Sequence, residues 1–98
     1  MELAKSERIN NLLELYKDLL TKKQQEVMDM YFLYDLSLAE ISEESQTSRS
    51  AVFDLIKRTT KLLENYENKL HLLEKREKIY KIIEKLDEQT KEKILELL

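Results

Sequence analysis

Hydroxyl and cationic side chains gather in one short part of this chain, between residues 48 and 61. The six of interest are Ser48, Arg49, Ser50, Lys57, Arg58 and Lys61. An arginine can donate two hydrogen bonds to O6 and N7 of guanine, and lysine and serine can donate to phosphate oxygens. The types and spacing of these residues therefore predict a surface that contacts nucleic acid. The simpler interpretation also remains open: a solvated arginine at position 49, a serine at position 48 that only caps a helix, and an ordinary charged face at Lys57, Arg58 and Lys61.

Two consecutive helices are predicted to position these side chains. The first begins at Ser37, whose hydroxyl can accept from the backbone of Glu40 while Glu40 reaches back, an arrangement called a capping box. A second N-cap signal follows at Thr47 or Ser48. Apolar residues then recur at helical spacing: Val52, Leu55 and Ile56. A short helix, a tight turn and a helix with a basic face together predict a helix-turn-helix.

With the segment that precedes it, this stretch resembles the C-terminal helix-turn-helix region of bacterial sigma factors, region 4. It is more similar still to the YlxM family of small bacterial proteins, over roughly Ile9 to Leu73. The most specific matches are Leu20-Thr21 with Gln25 and Val27, Leu36-Ser37 with Glu40-Ile41, and Ser48-Arg49 with Val52. The resemblance implies a sigma-region-4-like bundle of four helices.

The turn departs from the family pattern. Where the family has an apolar residue, then Gly or Asn, then Val or Ile, this chain has Ser45, Gln46 and Thr47. Glutamine tolerates left-handed backbone less well than glycine or asparagine. We therefore expect a turn that is strained or slightly longer than usual.

The resemblance also implies a biological setting. YlxM proteins are thought to be regulators linked to the signal recognition particle pathway, whose core parts are a GTPase and a small RNA. On that basis the partner is either duplex DNA or a structured small RNA, and the GTPase is a further candidate. The major groove of A-form RNA is too narrow for a recognition helix, so RNA would be contacted mainly through its backbone and shape.

Composition favours an all-α protein and argues against catalysis. The 98 residues include no Gly, Pro or Cys and a single His. Disulfides, a Cys nucleophile, a Gly-rich phosphate loop and a His-based metal site are thereby excluded within one chain. We expect no catalytic residue, metal or cofactor. Without a long apolar run or an apolar leader, a cytoplasmic protein that does not insert into membranes is predicted.

Charge is distributed unevenly along the predicted motif. Residues 37–47 carry three acids and no base, whereas residues 48–61 carry four bases and one acid, 4 − 1 = +3. The basic helix suits a phosphate backbone. The net charge of −3 for the whole chain and the small basic surface favour a different class of function, a protein-interaction module that keeps the fold without binding nucleic acid.

The remaining helices are predicted from caps and apolar spacing. The first begins after a cap at Ser6 and continues to about Leu20, with Leu19 on its apolar face. The second begins with a capping box from Thr21 to Gln24 and ends near Tyr34. The fourth continues in heptad-like spacing past the motif, to a bend between residues 68 and 75, and a last helix begins after Asp87. We therefore predict a helix-turn-helix domain at residues 1–66, and a C-terminal helical hairpin at residues 67–98 that forms a homodimer or folds back.

Overall fold

The computed structural model describes residues 7–98, and this range contains six α-helices and no strand. The helices are α1 Glu7–Tyr16, α2 Lys22–Met28, α3 Leu38–Ser45, α4 Arg49–Leu70, α5 Leu72–Ile83 and α6 Glu88–Leu95. A 3-10 turn, Lys17–Leu19, follows α1, and a π-helical turn, Asp29–Leu33, follows α2. The all-α prediction is confirmed. The predicted cap at Ser6 lies outside the described residues.

The core lies where α1, α2 and α3 pack against the first part of α4. Its fully buried apolar side chains are Leu12, Tyr16, Val27, Met28, Ile41, Val52, Ile56 and Leu63. Within α1 and α4 these residues are four or seven positions apart, which places them on one face of each helix. Within residues 7–98, no helix is both long enough and apolar enough to cross a membrane.

The end of the first helix differs from the prediction. The α-helical part of α1 ends at Tyr16, and the following 3-10 turn leaves the side chain of Leu19 55% exposed, although we expected it on the buried face. A 3-10 turn has about three residues per turn, so the buried face cannot continue in register through it. The capping box at Thr21 is confirmed, with Gln24 as its reciprocal partner.

The chain bends between α4 and α5 at His71, within the predicted segment 68–75. His71 adopts left-handed backbone, with φ 55° and ψ 30°, and serves as both the last cap of α4 and the first cap of α5. The bend folds α5 back so that it packs against α1. The predicted cap at Asp87 is also confirmed, because its carboxylate accepts from the backbone N–H of Thr90 at 3.0 Å.

A buried carboxylate, Glu67, holds this bend together. It accepts a hydrogen bond of 2.6 Å from the hydroxyl of Tyr16 and bonds of 2.9 and 3.1 Å from the backbone N–H groups of Leu73 and Glu74. Glu67 thereby caps the first turn of α5 from the neighbouring helix. Burial alone would raise the pKa of Glu67, but these three hydrogen bonds together lower it below its ordinary value.

Candidate nucleic-acid interface

Helix α3 begins with the capping box expected from its sequence. The hydroxyl of Ser37 accepts from the backbone N–H of Glu40 at 3.1 Å, and the Glu40 carboxylate accepts from the backbone N–H of Ser37 at 3.0 Å. The bond from the Ser37 backbone is the largest cause that lowers the pKa of Glu40. Ile41 is fully buried and belongs to the same core as α4, so α3 is held in a defined position across the start of that helix.

The turn between α3 and α4 is closed by two backbone hydrogen bonds. The N–H of Thr47 donates to Ser42 O at 3.1 Å, and the N–H of Gln46 donates to Glu43 O at 3.3 Å. This pair of bonds defines a Schellman motif, which requires left-handed backbone at the residue after the helix. Gln46 takes that conformation, with φ 53° and ψ 45°. Of the two expectations for this turn, the structure matches the strained one, and the strain lies at Gln46.

Helix α4 is capped by Ser48, whose hydroxyl accepts from the backbone N–H of Ala51 at 3.0 Å. Arg49 and Ser50 therefore occupy the first turn, next to α3. All six residues predicted for the interface are exposed: Ser48, Arg49, Ser50, Lys57, Arg58 and Lys61. Their role in binding stays a prediction, because exposure alone does not distinguish a contact residue from a solvated one.

The six predicted interface residues do not all lie on one face of α4. With about 100° of rotation per residue, Ser50, Lys57 and Lys61 lie on the side opposite the buried seam of α4. Asp54 lies on the same outward side and reduces its positive charge. Arg49 and Arg58 project from opposite flanks of this stripe, so the cationic surface is broad and sparse.

One cation near this surface was missed by the sequence analysis. Lys23, in the first turn of α2, lines a shallow cleft together with Thr21 and Gln24, and Arg58 lines the same cleft from α4. The adjacent lysines at positions 22 and 23 were visible in the sequence. Only the packing of α2 on α4 shows that Lys23 belongs beside Arg58.

The arginines fall into two groups within residues 7–98. Arg8 binds both carboxylate oxygens of Glu64 at 2.7 Å, and Arg76 lies 3.6 Å from Glu14. Arg49 and Arg58, in contrast, make no ion pair or side-chain hydrogen bond with other described residues. The two arginines of the motif are thus free to meet an external anion. In the same range, no group of three or more acidic or histidine side chains is arranged to hold a metal ion.

A short capped helix, a three-residue turn and a longer helix with exposed cations at its start define a helix-turn-helix protein. Residues 3–97 match the family described as "Putative helix-turn-helix protein, YlxM / p13 like". This match covers nearly the whole chain, so the chain belongs to that family. The resemblance inferred from the sequence is confirmed.

Individual relatives agree with this assignment. The chain is 54% identical to a UPF0122 protein of Oceanobacillus iheyensis over 93% of its own length and 87% of that protein. It is 48% identical to a UPF0122 protein of Halalkalibacterium halodurans over 98% of its length and 93% of the relative. A UPF0122 protein of Pediococcus pentosaceus is 59% identical, over 74% of this chain and 65% of that protein.

Proposed function

We propose that this protein is a nucleic-acid-binding regulatory protein that uses the segment of α4 from Arg49 to Lys61. The observation that carries the proposal is the group of exposed cations on that segment, whose two arginines pair with no carboxylate in the described part of the chain. Unpaired arginines at the start of a helix can bind phosphates or base edges without first breaking an internal ion pair.

Binding of this kind is expected to be weak and strongly dependent on salt. Four cations on α4 and Lys23 beside them could neutralise five phosphates. Each neutralised phosphate of B-DNA contributes about −0.9 to the slope of log K against log salt concentration, which gives a slope of roughly −4.5. Affinity would then fall by about 500-fold between 50 and 200 mM salt. An interface between apolar protein surfaces would not show this dependence.

The family resemblance supports a more specific setting, the signal recognition particle pathway. In that setting the ligand is a structured small RNA, and the GTPase of the particle is a candidate protein partner. Duplex DNA is the other candidate ligand, because a helix-turn-helix can place the start of its second helix in a major groove. The two ligands differ in the shape of their grooves. A competition experiment that measures which one the protein prefers therefore distinguishes DNA binding from RNA binding.

The test is a titration of the protein at 50 mM salt against a DNA duplex and a structured small RNA. The informative variant carries Arg49→Ala, Lys57→Ala and Arg58→Ala. Removing three phosphate contacts should make the slope less steep by about 2.7 and weaken binding at least tenfold. The matched control carries Ala at three exposed lysines of the C-terminal part: Lys75, Lys81 and Lys85.

Both variants lose three positive charges, so a general electrostatic effect would weaken them equally. Loss of affinity only in the α4 variant supports the proposed surface. Equal loss in both variants, or no binding of either ligand at 50 mM salt, would contradict it. Absence of binding to either ligand would instead favour the protein-interaction module, a function already suggested by the net charge of −3.

We also propose that the C-terminal helices form a homodimer contact. No residue of α6 is buried, and apolar side chains of this region remain exposed: Ile82, Leu86, Leu95, Leu97 and Leu98. An isolated helix of this length is only marginally stable in water, so α6 needs a partner surface. Light scattering should give twice the mass of 11.8 kDa. A monomeric mass at micromolar concentration would contradict the homodimer contact.

A further inference from the structure

The π-helical turn Asp29–Leu33 exposes two large apolar side chains at the surface. The N–H of Tyr34 donates to Asp29 O at 2.9 Å, five residues back, and the N–H of Leu36 donates to Met30 O at 2.9 Å. The wider turn changes the register of the side chains that follow. As a result Leu33 and Tyr34 are 65% and 66% exposed, although they continue an apolar run that began in the core.

Two clefts flank this turn, and Asp29 lines both. The first lies between the turn and α1, where Leu13, Phe32 and Leu33 form a largely apolar wall beneath the carboxylates of Glu14 and Asp18. It is an open groove along the side of α1. An apolar groove beside two exposed apolar residues is suited to the apolar face of an amphipathic helix.

The second cleft lies between the turn and the end of α3. Tyr34, Met30 and Val27 contribute its apolar lining, and Glu26 and Glu44 contribute carboxylates. Leu33 on one side and Tyr34 on the other therefore join the two clefts into a continuous surface. We call this surface the π-turn surface: the lining of both clefts with Leu33 and Tyr34 between them.

The charge of the π-turn surface restricts what can bind there. Its carboxylates are Glu14, Asp18, Glu26, Asp29 and Glu44, and its cations are Lys17 and Lys23, which gives 2 − 5 = −3. Lys17 is bound to Asp29 at 2.6 Å and is not available to an external anion. A surface of this charge repels nucleic acid and anionic lipid. A symmetric contact with a second copy would also place acid against acid.

We propose that the π-turn surface binds a basic amphipathic helix of another protein. The apolar face of that helix covers Leu33 and Tyr34 and fills the groove beside Leu13 and Phe32. Its lysines or arginines meet the rim carboxylates. This inference does not depend on nucleic-acid binding by α4, because the two surfaces share only Lys23 and have opposite net charge.

The probes for the test are two synthetic helical peptides of 18 residues, one built from Leu and Lys and one from Leu and Glu. Binding is measured by fluorescence anisotropy of the labelled peptide at 100 mM salt. We expect the Leu/Lys peptide to bind and the Leu/Glu peptide to bind at least about tenfold more weakly, because of charge repulsion at the rim. Amide chemical shifts should move around residues 29–34 and 13–18.

The site is tested with the variant Leu33→Ser with Tyr34→Ser, which should bind the Leu/Lys peptide at least about tenfold more weakly because two apolar side chains no longer become buried. The matched control is Leu70→Ser with Tyr80→Ser, which removes the same two residue types, 46% and 42% exposed, from α4 and α5. The control should bind as the unmodified protein does.

A second variant, Asp18→Lys with Glu44→Lys, keeps the apolar residues and reverses the rim charge, so it replaces the first if that variant unfolds. It should reverse or abolish the preference for the Leu/Lys peptide. Equal binding of the two peptides, shift changes confined to other helices, or equal loss of affinity in the control would overturn the proposal.

Discussion

Replacing Glu67 with glutamine should destabilise the protein although the change is nearly isosteric. Glu67 accepts three hydrogen bonds while only 6% exposed, and two of them reach the same oxygen, Oε1. A glutamine whose oxygen takes the position of Oε1 still accepts from Tyr16 and Leu73, but these bonds no longer involve a charged acceptor. Its NH₂ then faces the N–H of Glu74, and the third hydrogen bond is lost because both groups are donors. Hydrogen bonds to charged groups contribute about 1.5–3 kcal/mol and neutral ones about 0.5–1.5.

From these values we expect Glu67→Gln to lower the free energy of unfolding by about 2 kcal/mol, after allowing for the partial exposure of the start of α5. In a chain of this size that corresponds to a fall in Tm of roughly 8–16 °C. Chemical denaturation followed by circular dichroism measures the change. The matched control is Glu77→Gln, an exposed carboxylate on α5, which should change the free energy of unfolding by less than about 0.5 kcal/mol.

A double-mutant cycle with Tyr16→Phe separates the specific contact from general disruption of the bend. If the hydroxyl and the carboxylate act together, the double variant should lose about 1–2 kcal/mol less than the sum of the two single variants. Additive losses, or a Glu67→Gln variant as stable as the unmodified protein, would refute the role assigned to this carboxylate.

The hydrogen-bonded pair of Tyr16 and Glu67 also predicts how the stability of the protein depends on pH. Because the pKa of Glu67 is lowered on folding, its contribution is present above the ordinary carboxyl pKa and is lost as pH falls through the folded value. Burial, and then the bond to Glu67, raise the pKa of Tyr16. Its contribution is therefore present below about pH 10, the ordinary tyrosine value, and is lost as pH rises through the folded value.

Three further predictions concern the turn of the helix-turn-helix. Gln46→Gly should stabilise the protein by about 0.5–1 kcal/mol in thermal unfolding, because glycine adopts the left-handed conformation of this position without strain; a loss of stability would show that the Gln46 side chain contributes more than its backbone strain costs. Ser48→Ala should destabilise by about 1 kcal/mol through loss of the cap. Ser48→Asp should keep that stability but weaken nucleic-acid binding by repelling phosphate, and unchanged affinity would place Ser48 outside the interface.

Local signals in the sequence predicted much of the framework. The caps at Ser37, Thr21 and Asp87 depend only on a side chain and the backbone three residues further on, so no tertiary information was needed. The apolar seam of α4 followed from helical spacing in the same way. The six interface candidates were chosen by residue type, and their exposure agrees with that choice.

Other features depend on contacts between distant parts of the chain. Glu67 was missed because charged residues are rarely buried, and its partner Tyr16 lies fifty-one positions away. The π turn was missed because an unbroken apolar run does not reveal a change in helical register. Lys23 and Arg58 line the same cleft only because α2 packs on α4, which residue types alone do not specify.

The left-handed residues have a consequence for the order of folding. Three non-glycine residues with positive φ, Asp35, Gln46 and His71, mark corners of the described chain. At His71 no glycine or proline interrupts the helical sequence, so a peptide covering residues 49–83 is expected to form one straight helix. The contact between Tyr16 and Glu67, of long sequence separation, adds to the stability of the corner only after α1 has packed on α4. Docking of α5 is therefore expected to follow formation of the α1–α4 core, and mutations at the corner should mainly change the unfolding rate.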